Sequence, residues 1–175
     1  MYSKKRKENF IENFEELKCQ SEEFEGQKPY YFGTNYSNPI FVCNYLIRLF
    51  PFSNIAIELQ GNKMDFSDRI FFSISKTFEM CTSLKTYVRE LISEFFYLPE
   101  MFLTLNDIHL GTREDGEKID EVITPCNNNK YKFSELMKNI LENNKINTNI
   151  NNWIDLIFGY KSRAQDAEST KKYFF

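Results

Sequence analysis

Histidine is nearly absent from this chain of 175 residues, which contains only His109. A catalytic triad with histidine as its general base would have to use this residue. It stands between Ile108 and Leu110 in a stretch without helical periodicity, which favours a structural role. We therefore expect neither an enzyme nor a small-molecule substrate. The alternative is a hydrolase centred on His109, which would lose its turnover in a His109→Ala variant.

Cysteine and glycine are also sparse. The four cysteines, Cys19, Cys43, Cys81 and Cys126, are far apart and form no C-x-x-C pair. This spacing is typical of reduced cytosolic thiols and excludes the usual zinc-ligand patterns. The six glycines form neither of the two glycine-rich phosphate-binding motifs. We expect no metal and no cofactor.

Long apolar runs and an excess of basic residues are missing as well. No run approaches the roughly 20 residues that a membrane-spanning helix needs, and the basic N-terminus is followed by no apolar signal-peptide core. The net charge is −3, with acids and bases interspersed. Nucleic acid is therefore not an expected partner. We expect a cytoplasmic protein and leave peripheral attachment to endomembranes open.

Aromatic residues, in contrast, are abundant, with 18 phenylalanines and ten tyrosines. They predict a packed core, in which we also expect Trp153. Apolar periodicity predicts helices over residues 4–24 and 37–50, a short helix or turn over about 53–60, and further helices over 66–80, 131–143 and 149–159. The inner face of the fourth helix would comprise Ile70, Phe71, Ile74 and Phe78.

Capping and turn residues mark the ends of these elements. Ser37 or Asn38 is predicted to cap the second helix, with Pro39 in its first turn, and Gly61 to end the third. A long ordered loop is predicted over residues 106–126, with a turn at Glu114–Gly116. The asparagines at 127–129 are interpreted as a loop tip that tolerates insertion.

Four basic residues, Lys4, Lys5, Arg6 and Lys7, open the first helix. Such a cluster can attract anionic lipid, with about 1 kcal/mol for each basic residue near the membrane surface. Acids follow at Glu8 and Glu12, however, at a spacing that favours pairs along an exposed helix. A peripheral lipid-binding module therefore stays an alternative function.

Four segments in order resemble the BEACH (Beige and Chediak–Higashi) family. They are YYFGTNYSNP at 30–39, YLIRLFPFSNIAIELQGNKMDFSDRIFFSI at 45–74, EFFYLPE at 94–100 with LGTREDGE at 110–117, and WIDLIFGYKSR at 153–163. The resemblance implies a mainly α BEACH-domain fold, with irregular extended core segments wrapped by helices and incomplete at both ends. Residues 1–28 would form a charged amphipathic helix, and residues 29–175 a partial BEACH domain.

The same resemblance implies a non-enzymatic protein-interaction scaffold in vesicle and lysosome membrane trafficking, including autophagy. Its implied partners are the trafficking machinery and a PH-like domain, and a WD-repeat propeller usually follows the domain. A non-functional gene fragment is the remaining alternative.

Irregular segments inside a core need hydrogen-bond partners for their backbone groups. We therefore expect partly buried pairs involving Asp68, Arg69, Glu94, Glu100, Asp155, Lys161 and Arg163. Asp115, Gly116 and Trp153 complete the set of structural or interaction candidates.

Overall fold

A computed structural model describes residues 4–23, 38–83, 89–157 and 159. The helices in this part of the chain are α1 (Lys4–Glu23), α2 (Pro39–Tyr45), α3 (Phe52–Leu59), α4 (Ile74–Ser83), α5 (Lys130–Leu141), α6 (Asn144–Asn147) and α7 (Ile150–Ile157), with 3-10 helices at Ser67–Arg69, Ser93–Phe96 and Pro99–Phe102. Within the same residues, β pairing is confined to two isolated bridges, Ser73–Ile123 and Thr112–Lys118. The predicted mainly α fold is confirmed.

The chain divides into two compact units. The core unit comprises residues 36–78 and 90–142, and it contains both clusters of buried apolar side chains. The terminal unit comprises residues 1–35, 79–89 and 143–175. This division differs from the one expected at residue 28, which stays a prediction.

Asparagine side chains begin three of the helices. The Oδ1 atom of Asn38 accepts a hydrogen bond from the Ile40 N–H at 3.0 Å, with Pro39 in the first turn, which confirms the predicted cap of α2. Asn129 and Asn143 cap α5 and α6 in the same way. Such caps satisfy N–H groups that have no partner inside the helix.

The asparagine run at 127–129 therefore has a structural role that the sequence interpretation missed. Asn129 caps α5, and the Oδ1 atom of Asn128 accepts the Thr124 N–H at 3.0 Å. Asn127 and Asn128 both adopt the left-handed conformation, which asparagine tolerates better than most residues. The expected tolerance of insertion at this loop tip stays a prediction, although Asn127–Asn129 are engaged by their conformation or their bonds.

Aromatic rings fill the centre of the core unit. Tyr45 meets Phe71 and Phe95 edge-on, with ring centroids 4.9 and 5.0 Å apart. Phe102 lies 5.6 Å from both Phe95 and Phe133, so the series extends to α5. Edge-to-face pairs of this kind add stability beyond the burial of apolar area. The aromatic richness of the sequence thus correctly predicts a packed core.

The helix predicted over residues 66–80 was wrong. Only its second half is helical, because α4 begins at Ile74, while Ile70 and Phe71 are buried on non-helical backbone. The carbonyl of Phe72 accepts the Ile123 N–H at 2.8 Å, and the Ile123 carbonyl accepts the Ile74 N–H at 3.0 Å. These long-range bonds replace the helical ones, and Phe78, expected on the inner face, is 70% exposed.

Arg48 holds this irregular backbone from inside the core unit. Its side chain is 1% exposed, its Nε donates to the Asp120 carbonyl at 2.7 Å, and its Nη1 donates to the Phe71 carbonyl at the same distance. Burial lowers the pKa of Arg48 to about 10, while the charges of Asp120 and Glu121 act in the opposite direction. The guanidinium therefore stays charged at neutral pH. The expected core of irregular segments among helices is observed here.

Candidate interaction surface

The 3-10 helix Ser67–Arg69 and the loop after Leu110 interlock at the surface of the core unit. The hydroxyl of Ser67 donates to the Leu110 carbonyl at 3.1 Å. Gly111, with φ +86°, lies so close that an added Cβ would be 2.3 Å from the Ser67 Oγ. Only a residue without a side chain fits this approach, and glycine adopts the positive φ without strain.

The loop then forms a short turn that is tied back to the 3-10 helix. The N–H of Arg113 donates to the Glu117 carbonyl at 2.9 Å, and Gly116 at the tip has a φ of +85°. One carboxylate oxygen of Asp68 accepts the Glu114 N–H at 3.2 Å, and the other lies 3.9 Å from the Arg113 Nε. Asp68 thus bonds to the loop through both oxygens.

Arg113 joins three parts of this surface. Its guanidinium contacts the carboxylate of Asp115 and lies 4.0 Å from the ring centroid of Phe72. It also faces Asp68. One planar group thus engages two carboxylates and an aromatic ring, and it ties the turn to the 3-10 helix.

Phe66 projects from this interlocked base into solvent. Its side chain is 73% exposed, and the guanidinium carbon of Arg69 lies 5.2 Å from the centre of its ring. Asp65 accepts the Phe66 N–H at 2.8 Å and lies 3.8 Å from an Arg69 nitrogen. We call residues 65–69 and 111–118 together the Phe66 surface. It presents a large apolar ring, and its two segments are joined by the hydrogen bonds of Ser67 and Asp68.

Within the described residues, no group of three or more histidine, cysteine or acidic side chains is arranged to hold a metal ion. His109 is exposed and makes no hydrogen bond to a carboxylate or nucleophile in the part of the chain that the structure describes. Burial raises the pKa of the Cys43 thiol, which makes it a weaker nucleophile at neutral pH.

Comparison with known proteins places the sequence of this chain in a family. The Beige/BEACH domain family model matches residues 1–175. BEACH domain-containing protein B of Arabidopsis thaliana is 38% identical over 148 residues, which are 83% of this chain and 6% of that protein. Beige protein homolog 1 of Saccharomyces cerevisiae is 38% identical over 175 residues, or 98% of this chain and 8% of that protein.

The chain belongs to the Beige/BEACH domain family. WD repeat- and FYVE domain-containing protein 4 of Homo sapiens is a further relative, 38% identical over 168 residues, which are 94% of the chain and 5% of that protein. This BEACH chain therefore spans less than a tenth of the length of the relatives named here. The resemblance recognised from the four segments is confirmed.

The candidates predicted for this BEACH chain are only partly brought together. The Phe66 surface contains four of them, which are Asp68, Arg69, Asp115 and Gly116. Glu94 lies elsewhere, half-buried, and accepts a hydrogen bond from the neighbouring Ser93 hydroxyl at 3.2 Å. Within the described residues the half-buried side chain of Glu100 has no hydrogen-bond or ion-pair partner, contrary to the expectation.

The remaining candidates lie in the terminal unit or outside the described residues. Trp153 was expected in the core but is 48% exposed on α7. Its neighbour Ile154, which belongs to the same apolar stripe, is exposed as well. Asp155 is half-buried and has an interaction partner. Lys161 and Arg163 lie outside the described residues. The first turn of α1 begins at Lys4, which is almost fully exposed and lies 3.9 Å from Glu8.

Sequence reasoning missed the residues that organise the BEACH core. Arg48 was read only as part of a motif, and Arg113 was not singled out. Lys130 is buried and pairs with Glu121 at 2.7 Å, and Asn106 donates to the Arg48 carbonyl at 3.1 Å. A polar residue inside an apolar stretch, such as Arg48 in YLIRLFPF, was the one local signal available.

Proposed function

We propose that this BEACH chain is a non-enzymatic protein-interaction scaffold in vesicle and lysosome membrane trafficking. It acts in the cytoplasm and binds protein partners through the Phe66 surface. The observation that carries the proposal is the exposed Phe66 ring beside Arg69 on an interlocked backbone. Aromatic and arginine side chains contribute most of the binding free energy at many protein interfaces.

The rigidity of the base supports this role. Binding is weakened when side chains and loops must become ordered at the interface, so a prearranged surface loses less free energy. Asp68, Arg113 and the Ser67 hydroxyl bond the 3-10 helix that follows Phe66 to the loop after Leu110, without a partner protein. The surface is therefore ready for a partner with a complementary apolar pocket.

Membership of the BEACH family supports the trafficking part of the proposal. None of the helices among the described residues is long and apolar enough to cross a membrane. We propose separately that contact with membranes is peripheral. A PH-like domain and other trafficking proteins are the partners that we expect.

The test is genetic complementation in cells of the source organism that lack the gene for the protein carrying this domain. The wild-type protein should restore the size of vesicles and lysosome-related compartments. A Phe66→Ser/Arg69→Glu variant should fail to restore it, because both exposed contact groups are removed while the buried residues are untouched. Compartment diameter measured by microscopy gives the result.

The matched control is Tyr97→Ser/Lys132→Glu, which changes another exposed aromatic residue and another exposed cation of the core unit. It should restore the compartments fully, at the same protein level as the wild type. If deletion leaves every compartment unchanged, the trafficking function is wrong. If the Phe66 variant restores the compartments as well as the control does, the assignment of the surface is wrong.

A second function is favoured by the charge distribution of α1. Its first turn begins with Lys4, Lys5, Arg6 and Lys7 and contains no acidic residue. The N-terminal end of a helix carries partial positive charge, so these four cations raise the free energy, and Glu8, 3.9 Å from Lys4, provides only one opposing negative charge. Anionic lipid headgroups would provide further negative charge, and α1 would then lie peripherally on a membrane.

Flotation with vesicles tests this second function. Binding to vesicles rich in phosphatidylserine should disappear at high salt and in the variant with all four basic residues of 4–7 changed to Gln. A control with Lys63, Lys132, Lys138 and Lys145 changed to Gln removes the same charge elsewhere and should still bind. Equal binding of both variants would exclude α1 as the lipid site.

A further inference from the structure

The charge around Phe66 indicates what kind of partner this surface fits. Residues 65–69 and 111–118 contain five acids and three bases, for a formal net charge of −2. Of the acids, Asp65, Asp68 and Asp115 are engaged by Arg69 or Arg113. The surface therefore has two further carboxylates, Glu114 and Glu117, whose charge is not used inside it.

Glu114 and Glu117 are both exposed on the turn. Within the described residues, neither side chain has an ion-pair or hydrogen-bond partner. Their backbone positions are nevertheless fixed, since the Glu114 N–H bonds to Asp68 at 3.2 Å and the Glu117 N–H bonds to Asp115 at 3.1 Å. Two carboxylates are thus held in place without a partner of opposite charge.

These carboxylates and the Phe66 ring belong to one continuous surface. Asp68 lies two residues after Phe66 and accepts the N–H of Glu114 directly. Arg69 covers one side of the ring and is itself neutralised by Asp65, so it adds little positive charge for an acidic partner to use. An incoming chain meets an exposed apolar ring and, on the turn that is bonded to Asp68, the two carboxylates of Glu114 and Glu117 with one exposed base, Lys118.

We propose that the Phe66 surface binds a short protein segment in which an apolar side chain is flanked by lysine or arginine. The inference rests on the proposed function and names the partner chemistry of the same surface. The apolar side chain packs on Phe66, and the basic groups pair with Glu114 and Glu117. Charge complementarity of this kind raises association rates and excludes acidic partners. Nucleic acid and anionic membranes are disfavoured for the same reason.

Fluorescence polarisation with the 175-residue chain tests the proposal. The probe is a labelled peptide of alternating Lys and Leu with a central Phe, and the comparison peptide has Glu in place of every Lys. The basic peptide should bind at least about tenfold more tightly than the acidic one, which corresponds to about 1.4 kcal/mol. Its affinity should fall as salt is added, because salt screens exposed charges.

Variants of the chain locate the binding. Phe66→Ser and Glu114→Lys/Glu117→Lys should each weaken the basic peptide by about tenfold or more. Glu58→Lys/Glu135→Lys makes the same change in net charge at exposed acids outside the surface and should bind like the wild type. Circular dichroism checks that all variants keep the helical content of the wild type.

Three results would overturn the proposal. The first is an equal loss of peptide affinity in Glu114→Lys/Glu117→Lys and in Glu58→Lys/Glu135→Lys. The second is equal affinity for the acidic and the basic peptide. The third is binding to phosphatidylserine vesicles that Phe66→Ser abolishes. The complementation experiment keeps this outcome separate from the proposed function. If Phe66→Ser/Arg69→Glu fails to restore compartments but no basic peptide binds, the scaffold function stands and the partner chemistry is wrong. If deletion changes no compartment, the function itself fails, whatever the peptides do.

Discussion

The interior of the core unit and the Phe66 surface use the same two residue types for opposite purposes. Inside, Arg48 donates to two carbonyls of non-helical backbone, and Phe102 is fully buried among other rings. Outside, Arg69 lies over an exposed Phe66. The comparison teaches that residue type alone does not separate an architectural role from a binding role. The two roles are separated by the neighbouring backbone. An architectural side chain such as Arg48 provides the hydrogen bonds that buried backbone carbonyls need, whereas the backbone around Phe66 already has its hydrogen bonds.

The largest expected difference in stability is between the buried Phe102 and the exposed Phe66. Phe102→Ala should lower the free energy of unfolding by about 3–5 kcal/mol, because a buried ring is replaced by a cavity. Phe66→Ala should change it by less than about 0.5 kcal/mol, as is usual for exposed sites. Urea denaturation followed by circular dichroism measures both. A loss at Phe66 comparable to that at Phe102 would mean that Phe66 is part of the core.

The arginine pair should show the next largest difference. Arg48→Met keeps most of the apolar stem but leaves the carbonyls of Phe71 and Asp120 without their charged donor, and each such bond contributes about 1.5–3 kcal/mol. The substitution also removes a charge whose burial is unfavourable, which offsets part of that loss. We therefore expect the free energy of unfolding to fall by about 2–4 kcal/mol. Arg69→Met, at a side chain 69% exposed, should lose no more than about 1 kcal/mol.

The same urea experiment distinguishes the outcomes for Arg48. Unchanged stability of Arg48→Met would show that the two carbonyls find other partners, and the architectural role would be wrong. Arg48→Lys should lie between the wild type and Arg48→Met, because an ammonium group cannot reproduce the planar arrangement of the guanidinium.

Gly111 and Gly116 test the junction between the interior of the core unit and the Phe66 surface. Gly111→Ala should lose about 2–3 kcal/mol, because the positive φ is strained and the new Cβ would collide with Ser67. Gly116→Ala has nearly the same φ but open space around it, so only the strain of about 1–2 kcal/mol should remain. Thermal unfolding of both variants gives the difference. Equal losses would argue against the close approach to Ser67.

A smaller loss than at Phe102, Arg48 or Gly111 is expected at Trp153 in the terminal unit. Full burial of a tryptophan would predict a loss of about 3–5 kcal/mol on change to alanine. Because its side chain is 48% exposed, we expect only about 1–2 kcal/mol for Trp153→Ala. A loss above about 4 kcal/mol in urea denaturation would restore the original expectation of a core tryptophan.

Local signals were sufficient for several elements of the fold. The cap at Asn38, the end of α3 near Gly61 and the positions of α5 and α7 depend on neighbouring residues, and the sequence predicted them to within a few positions. Residues 70–73 were mispredicted for the opposite reason. Their hydrogen-bond partners, Arg48 and Ile123, are distant in sequence, and no periodicity reveals such partners.

The candidate surface was predicted in the same uneven way. Asp68, Arg69, Asp115 and Gly116 stand in recognisable segments, and the structure places them together. Phe66 was missed because a phenylalanine is usually buried, although its neighbours Asp65 and Ser67 are polar. Its exposure follows from the 3-10 turn that begins after it, which sends Ile70 inward and leaves the ring outside.

The two hydrogen bonds of Arg48 also determine when the interior can be completed during synthesis. Their acceptors come 23 and 72 residues later in the chain. While the ribosome is still making the intervening segment, the cation lacks its second acceptor, the Asp120 carbonyl, and Phe102 lacks its contact with Phe133. Long-range closure of this kind is slow and leaves apolar surface open to aggregation. Chaperone demand should therefore be greatest before residue 120 leaves the exit tunnel, and should fall once it emerges.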